Sequence, residues 1–208
     1  MTPLDELRRR YPWPGECPDV PTAMKGDRPE GWCSGDNRTM FERLGKNAKI
    51  IVELGSWLGL SASYLLDLCP QATVICVDHW RGSAEHHRRE DWKVRLATLY
   101  ETFLRHHWAN RDRIVPMRTG TLDGLQELRE LGIQPDLIYV DASHDEESVY
   151  QDITACLHHF PEAEIIGDDW LHASVRRGVI RAADHLWLRV EGINCWHIPL
   201  DKRGEHPR

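Results

Sequence analysis

The sequence contains no run of about eighteen apolar residues, which excludes an apolar membrane-spanning helix. It has no Cys-x-x-Cys pair, and its six cysteines (Cys17, Cys33, Cys69, Cys76, Cys156 and Cys195) fall at unrelated spacings. Neither a zinc ribbon nor a disulfide framework is therefore expected, and Cys76, inside the apolar run TVICVD, reads as a small hydrophobe. No Lys/Arg cluster marks a binding stripe and the formal charge is −7, which argues against a nucleic-acid partner held by phosphate contacts. The opening MTPLDELRRRYPWPGE lacks the apolar core of a secretory signal, so a cytoplasmic protein with no membrane partner is expected. Internal repeats and low-complexity segments are also missing.

What is present is ordinary globular composition: 208 residues, 41% hydrophobic and 28% charged, enough for one domain with an arm. Residues 11–36 carry five Pro and four Gly, which excludes a regular helix or a central strand there. This stretch reads as a tethered arm or lid, and TMFERLG after it as a short helix closed by Gly45. From residue 48 short β-branched runs alternate with helical stretches. The runs are residues 49–54, 73–78, 113–117, 136–141 and 163–167, each apolar without alternation, as in strands buried on both faces of a parallel sheet. Helices are expected at 61–68, 84–108, 122–131, 146–160 and 175–185, and a closing β-hairpin from the runs 186–190 and 193–198. This alternation predicts an α/β fold, a doubly wound, mostly parallel sheet of seven strands.

In such a sheet ligands bind at the carboxyl ends of the strands. The first strand ends in Glu53-Leu54-Gly55-Ser56-Trp57-Leu58-Gly59-Leu60-Ser61. Gly55 would let backbone approach a ligand, and Gly59 would let the following helix pack close to the strand. Asp78 ends the second strand, where a carboxylate can accept both ribose hydroxyls of a nucleoside cofactor; its alternative role is a helix cap. Asp141 ends the fourth strand, and Asp168 and Asp169 end the fifth. Three carboxylates converging on one mouth suit a hard dication such as Mg²⁺, unless they only cap helices. His144, three residues after Asp141, is the candidate general base. The adjacent pairs His86/His87, His106/His107 and His158/His159 cannot share a helix face and read as solvated. Trp57 and Trp170 read as core residues or as an apolar wall of an acceptor pocket.

ELGSWLGLS, VDHW followed by RGS, IYVDASHDEESVYQDI and IIGDDW resemble class I S-adenosylmethionine-dependent methyltransferases, over residues 50–196. The likeness is to catechol O-methyltransferase-like enzymes and to the bacterial families grouped with cephalosporin hydroxylase and macrolide-sugar O-methyltransferases. It implies a Rossmann-like methyltransferase domain at 47–200, an N-terminal arm at 1–46, a tail at 201–208 and, at family level, a homodimer. It also implies that Glu53, Gly55 and Ser61 surround the methionine moiety, within a cofactor turn that includes Ser56, Trp57 and Gly59. Asp78 would bind the ribose, His79 and Trp80 would border the adenosine, and Thr121 and Leu122 would lie near the adenine. Asp141, Asp168 and Asp169 occupy the family's metal-ligand positions, and Asp141 doubles as a cofactor and catalytic neighbour. The chain departs from the pattern in having Asp169 where the family has an amide and His144 where it has a Lys. The expected activity is Mg²⁺-assisted O-methylation of a small polar acceptor with adjacent oxygen donors. The alternatives are a metal-independent N- or C-methyltransferase, a non-catalytic nucleoside-binding protein, or, against the glycine spacing, a nicotinamide-linked oxidoreductase.

Overall fold

A computed structural model describes residues 1–184 and 187–200. The chain runs α1 (Pro3–Arg10), a two-stranded ribbon of β1 (Met24–Lys25) and β2 (Arg28–Pro29), α2 (Gly35–Gly45), β3 (Ile50–Leu54), α3 (Leu60–Leu68) and β4 (Thr73–Asp78). It continues through α4 (Ala84–Arg88), α5 (Glu90–Leu96), α6 (Leu99–His107), a 3-10 segment (Trp108–Arg113), β5 (Ile114–Arg118), α7 (Thr121–Glu130) and β6 (Leu137–Val140). It closes with α8 (Glu146–His159), β7 (Glu164–Gly167), α9 (Ala173–Ala183), β8 (Arg189–Glu191) and β9 (Cys195–Ile198). Seven strands form one sheet in the order β5-β4-β3-β6-β7-β9-β8. Strands β3 to β7 pair in parallel, and β9 inserts antiparallel between β7 and β8 to make the C-terminal hairpin. Strand order reverses between β4 and β6, on either side of β3, so the glycine-containing turn after β3 stands at the switch point.

The non-alternating apolar runs explain why the sheet is covered on both faces. Val52, Ile75 and Ile138 pack into one cluster with α7, α8 and α9, while the neighbouring Ile51, Val74 and Cys76 pack into another with α2, α3 and α6. Each fully buried aliphatic side chain contributes about 1.5–3 kcal/mol relative to exposure. Among the described residues no helix is long and apolar enough to cross a membrane. None of the six cysteines is joined in a disulfide, and Cys69, Cys76, Cys156 and Cys195 are buried.

Three local expectations are corrected. The stretch 84–108 is not one helix: Arg89 is extended (φ −103°, ψ 114°) and Thr98 leaves helical geometry (φ −123°, ψ 19°), so it breaks into α4, α5 and α6. Leu99, Tyr100, Phe103 and Leu104, apolar at helical spacing, all lie on the last of these. The N-terminal residues form α1, capped by Thr2 and anchored by the buried Leu7, a helix that the Pro-rich sequence beside it concealed. Finally, α2 starts at Gly35 rather than at Thr39, because Ser34 and Asn37 form a capping box. The expected ends at His185 and Leu186, and the tail 201–208, lie outside the described residues.

Candidate active site

The turn after β3 is shaped from beneath by Asp78. Its Oδ2 accepts the Ser56 and Trp57 N–H groups at 3.1 and 2.9 Å, and Oδ1 accepts the Trp80 N–H at 2.6 Å. Burial raises the Asp78 pKa, while the N–H groups of Trp57 and Trp80 draw it back. Asp78 thus ends β4 with its carboxylate folded under the turn, and His79, half-exposed, sits beside it. Trp57 and Trp80 both hold positive φ (49°) without being glycine, and backbone strain of this kind clusters at functional sites.

Each of the two turn glycines has a close protein neighbour. At Gly55 (φ +88°) a Cβ would meet Asp141 O at 2.2 Å, so the close approach is to the end of β6. At Gly59 (φ +90°) a Cβ would meet His107 Nε2 at 1.9 Å, so this glycine makes room for α6. His107 is buried, with Nε2 at 3.1 Å from Gly59 O, and burial pushes its pKa down to about 3. The expectation of a solvated pair therefore fails for His106/His107, because α6 turns both rings toward the turn after β3. Trp80 is a second correction. Its ring is 1% exposed and packs between Tyr100 and Phe103, leaving only its backbone to face Asp78.

Glu53 is fully buried; Oε2 accepts the Ser56 hydroxyl, and Oε1 has no hydrogen-bond partner. An unpaired buried acceptor costs about 1–3 kcal/mol, so this atom fits a donor brought by a ligand, such as an ammonium group. Burial raises the Glu53 pKa, opposed by the nearby Ser56 and Ser61 hydroxyls. Thr121, at the start of α7, donates to the buried Asp152 at 2.6 Å, and Leu122 beside it is exposed.

Across the mouth, Asp141, His144 and Asp169 each offer a ligand atom, all within 4.8 Å of one another. His144 Nε2 lies 2.9 Å from Asp169 Oδ2, and this contact lowers the Asp169 pKa. Asp141 behaves oppositely: burial, then the charges of Asp168 and Asp169, raise its pKa well above the usual carboxylate range. Asp168 lines the same small cavity, but its Oδ1 takes Asn194 Nδ2 at 3.0 Å and Cys195 Sγ at 3.7 Å. The grouping thus brings His144 into the place expected of Asp168. Two carboxylates and an imidazole form a donor set able to hold a divalent cation.

The sequence reading missed the support behind Asp141. Tyr139, on the buried face of β6, donates its hydroxyl to Asp141 Oδ2 at 3.1 Å, and Asn37 on α2 donates to the Tyr139 oxygen at 2.9 Å. Cys33, on the arm, is pushed up to about 12, first by burial and then by Glu53, Asp141 and Asp168. Nothing in the local sequence marks Asn37 or Cys33, which reach the mouth only because the arm and α2 fold across it. The partly buried Trp57 stacks on His86 (4.0 Å between centroids) and neighbours Trp92, which meets Trp32 edge-on at 5.1 Å. Trp170 is partly buried against the α7–α9 core.

A switch-point turn with a carboxylate beneath it, facing an acidic strand-end cluster, defines the class of α/β enzymes that take a nucleoside-bearing cofactor. A family model described as "Methyltransferase domain" matches residues 52–170, more than half of the chain. The chain belongs to that family, and it is a class I S-adenosylmethionine-dependent methyltransferase. No curated protein matches the sequence.

Solved structures share the fold. The O-methyltransferase from Bacillus cereus, in complex with SAH, has 19% identity and a TM-score of 0.52, covering 94% of this chain and 89% of that one. CalS11, a TDP-rhamnose 3′-O-methyltransferase of calicheamicin biosynthesis, has 16% identity and a TM-score of 0.54, covering 77% and 76%. The cofactor-bound Rv0187 from MTB has 18% identity and a TM-score of 0.53, covering 82% and 83%. At these identities the likeness concerns the fold.

Proposed function

We propose that the protein is an O-methyltransferase, assisted by Mg²⁺, that acts on a small polar metabolite with adjacent oxygen donors. The observation that carries this reading is the convergence of Asp141, His144 and Asp169 within 4.8 Å, opposite the turn that follows β3. When bound, S-adenosylmethionine supplies a sulfonium methyl that an oxygen nucleophile displaces, leaving S-adenosylhomocysteine. Glu53 Oε1 receives the ammonium of the methionine moiety, with Gly55, Ser56, Gly59 and Ser61 around it. Asp78, which has one acceptor site left on Oδ1, takes a ribose hydroxyl beside His79, and Thr121 and Leu122 border the adenine.

His144 accepts the proton of the acceptor hydroxyl at Nδ1, because Nε2 carries the hydrogen that it donates to Asp169, and Asp169 stabilises the resulting imidazolium. Asp141 and Asp169 are the residues that would hold the cation, with Asp168 behind them. A bound Mg²⁺ supplies a lowered hydroxyl pKa and a fixed direction of approach. The acceptor lies under residues 1–46: Cys33 and Asn37 of this arm border the acidic cluster, and Trp32 continues the aromatic surface from Trp57.

A metal-independent enzyme is the competing reading, favoured by the direct 2.9 Å contact of His144 with Asp169, which is already a base with its orienting carboxylate. Calorimetric titration of S-adenosylhomocysteine, with Mg²⁺ and then with EDTA, tests both. Binding in both conditions, with a separate Mg²⁺ heat lost in Asp169→Ala, supports the metal-assisted reading. Binding with no Mg²⁺ heat supports the competing one. No binding in either condition overturns the cofactor assignment.

A further inference from the structure

The two adjacent histidines near the end of α6 face successive carbonyls of the turn after β3. His106 Nδ1 lies 3.0 Å from Leu58 O, and His107 Nε2 lies 3.1 Å from Gly59 O. A carbonyl oxygen only accepts, so each of these ring nitrogens carries a hydrogen. That fixes the tautomer of His106: with Nδ1 protonated, its Nε2 lone pair accepts the Ala23 N–H at 3.1 Å. One imidazole therefore takes a hydrogen bond from the N-terminal arm and gives one to the turn. Only the neutral ring can do both, because an imidazolium would point an N–H at the Ala23 N–H.

The arm touches the same region at several further points. Arg105 donates to Pro18 O at 3.0 Å, Arg28 reaches Asp67 at 2.6 Å, and Gly31 packs so closely on Leu60 that a Cβ would lie 2.9 Å from its side chain. Beside His106 the arm and α6 leave an open groove of about 540 Å³. The charged and titratable groups facing this ring are Asp19, Cys17 and Glu30 on the arm, and Arg105 and His107 on α6.

We propose that His106 is a positioning residue that couples the arm to the cofactor turn, so that arm docking and cofactor affinity rise and fall together. The inference rests on the reading of Ser56–Gly59 as the cofactor turn. Leu58 O and Gly59 O fix the turn from the α6 side while Asp78 fixes its N–H groups from the β4 side, leaving little freedom for its backbone. A cofactor that requires this shape stabilises the docked arm through His106, and the docked arm returns the same free energy to binding, as linkage demands. Burial holds the His106 pKa below its usual 6.5, with the Leu58 carbonyl acting in the opposite direction. The coupling is therefore present at neutral pH and is lost as the ring protonates in acid.

Two substitutions separate the halves of the contact. His106→Asn keeps a donor at the Nδ1 level for Leu58 O and loses the acceptor for Ala23. Ala23→Pro removes only the arm's N–H. The measurement is trypsin cleavage at the exposed Lys25, with and without saturating S-adenosylhomocysteine, at pH 8. In the unaltered protein the ligand is expected to slow cleavage roughly fivefold or more. In His106→Asn and Ala23→Pro the protection is absent. Equal protection in the unaltered protein and in both variants at pH 8 overturns the coupling. Failure of the unaltered protein to bind S-adenosylhomocysteine in calorimetry is a different result, which overturns the cofactor reading on which the coupling rests. Matching circular dichroism and melting temperatures exclude misfolding as the cause.

Discussion

The Trp57 N–H donates to Asp78 Oδ2 at 2.9 Å, and this bond joins the middle of the turn after β3 to the end of the neighbouring strand. The same oxygen holds the Ser56 N–H, so the conformation of the turn depends on one carboxylate. Asp78→Ala leaves these donors without their acceptor and removes the proposed ribose contact. Affinity for S-adenosylhomocysteine is expected to fall by about a hundredfold or more, at about 1.5–3 kcal/mol for each hydrogen bond to a charged group. Calorimetry checks this, and an unchanged affinity would sink the placement of the cofactor.

His144→Gln tests the proton acceptor. The substitution keeps a polar side chain near Asp169 but removes the basic nitrogen, so kcat is expected to drop by roughly 10²–10⁴-fold with S-adenosylhomocysteine affinity unchanged. Asp169, held below its usual 3.8 by His144, is ionised at any assay pH above that value, and its contribution is lost only as pH falls through its folded-state pKa. The acid limb of activity in the unaltered enzyme therefore does not belong to Asp169. A kcat that survives in His144→Gln assigns the base elsewhere.

Gly59→Ala places a Cβ 1.9 Å from His107 Nε2 at a φ of +90°. Collision and backbone strain together are expected to cost ~3 kcal/mol or more. Gly132 sits at φ +74° with open space where a Cβ would stand, so it isolates the conformational part, and Gly132→Ala should cost only ~1–2 kcal/mol. Urea denaturation of the two variants measures the difference; equal losses would show that His107 yields to the added methyl.

Asp152 has its pKa raised to about 6 by burial, against 3.8 for the free group, with Thr121 pulling it back. A carboxyl with a raised folded-state pKa favours folding below its unfolded value, and that contribution fades as pH rises through about 6. Asp152→Asn, which can still accept the Thr121 hydroxyl, should raise stability at pH 8 by at most ~3 kcal/mol. It should change little at pH 4. A variant less stable at pH 8 would mean that the ionised group is held by more than Thr121.

The succession of strands and the position of the glycine turn were legible in the sequence because both are local signals. KIIVEL, TVICVD, IVPM, LIYV and EIIG are apolar without alternation, which suits only strands covered on both faces, and the glycines and acids that follow mark their carboxyl ends. Asp78, Asp141, Asp168 and Asp169 were found in this way, since a strand end fixes where a side chain stands along the sheet. Contacts between distant segments decided the rest. The grouping of His144 with Asp141 and Asp169, and the bonds of Asp168 to Asn194 and Cys195 of the last hairpin, depend on segments that meet only in the folded chain. Tyr139 became the support of Asp141 only when α2 brought Asn37 over β6, about a hundred residues away in the chain. His106 and His107 looked like a polar pair on a helix, and only the packing of α6 against Gly59 turned them into donors to the cofactor turn. Hydrophobic period and turn chemistry are short-range and survive in the sequence as pattern. A hydrogen bond between residues far apart leaves no such pattern, because its geometry exists only once the sheet and the arm have come together.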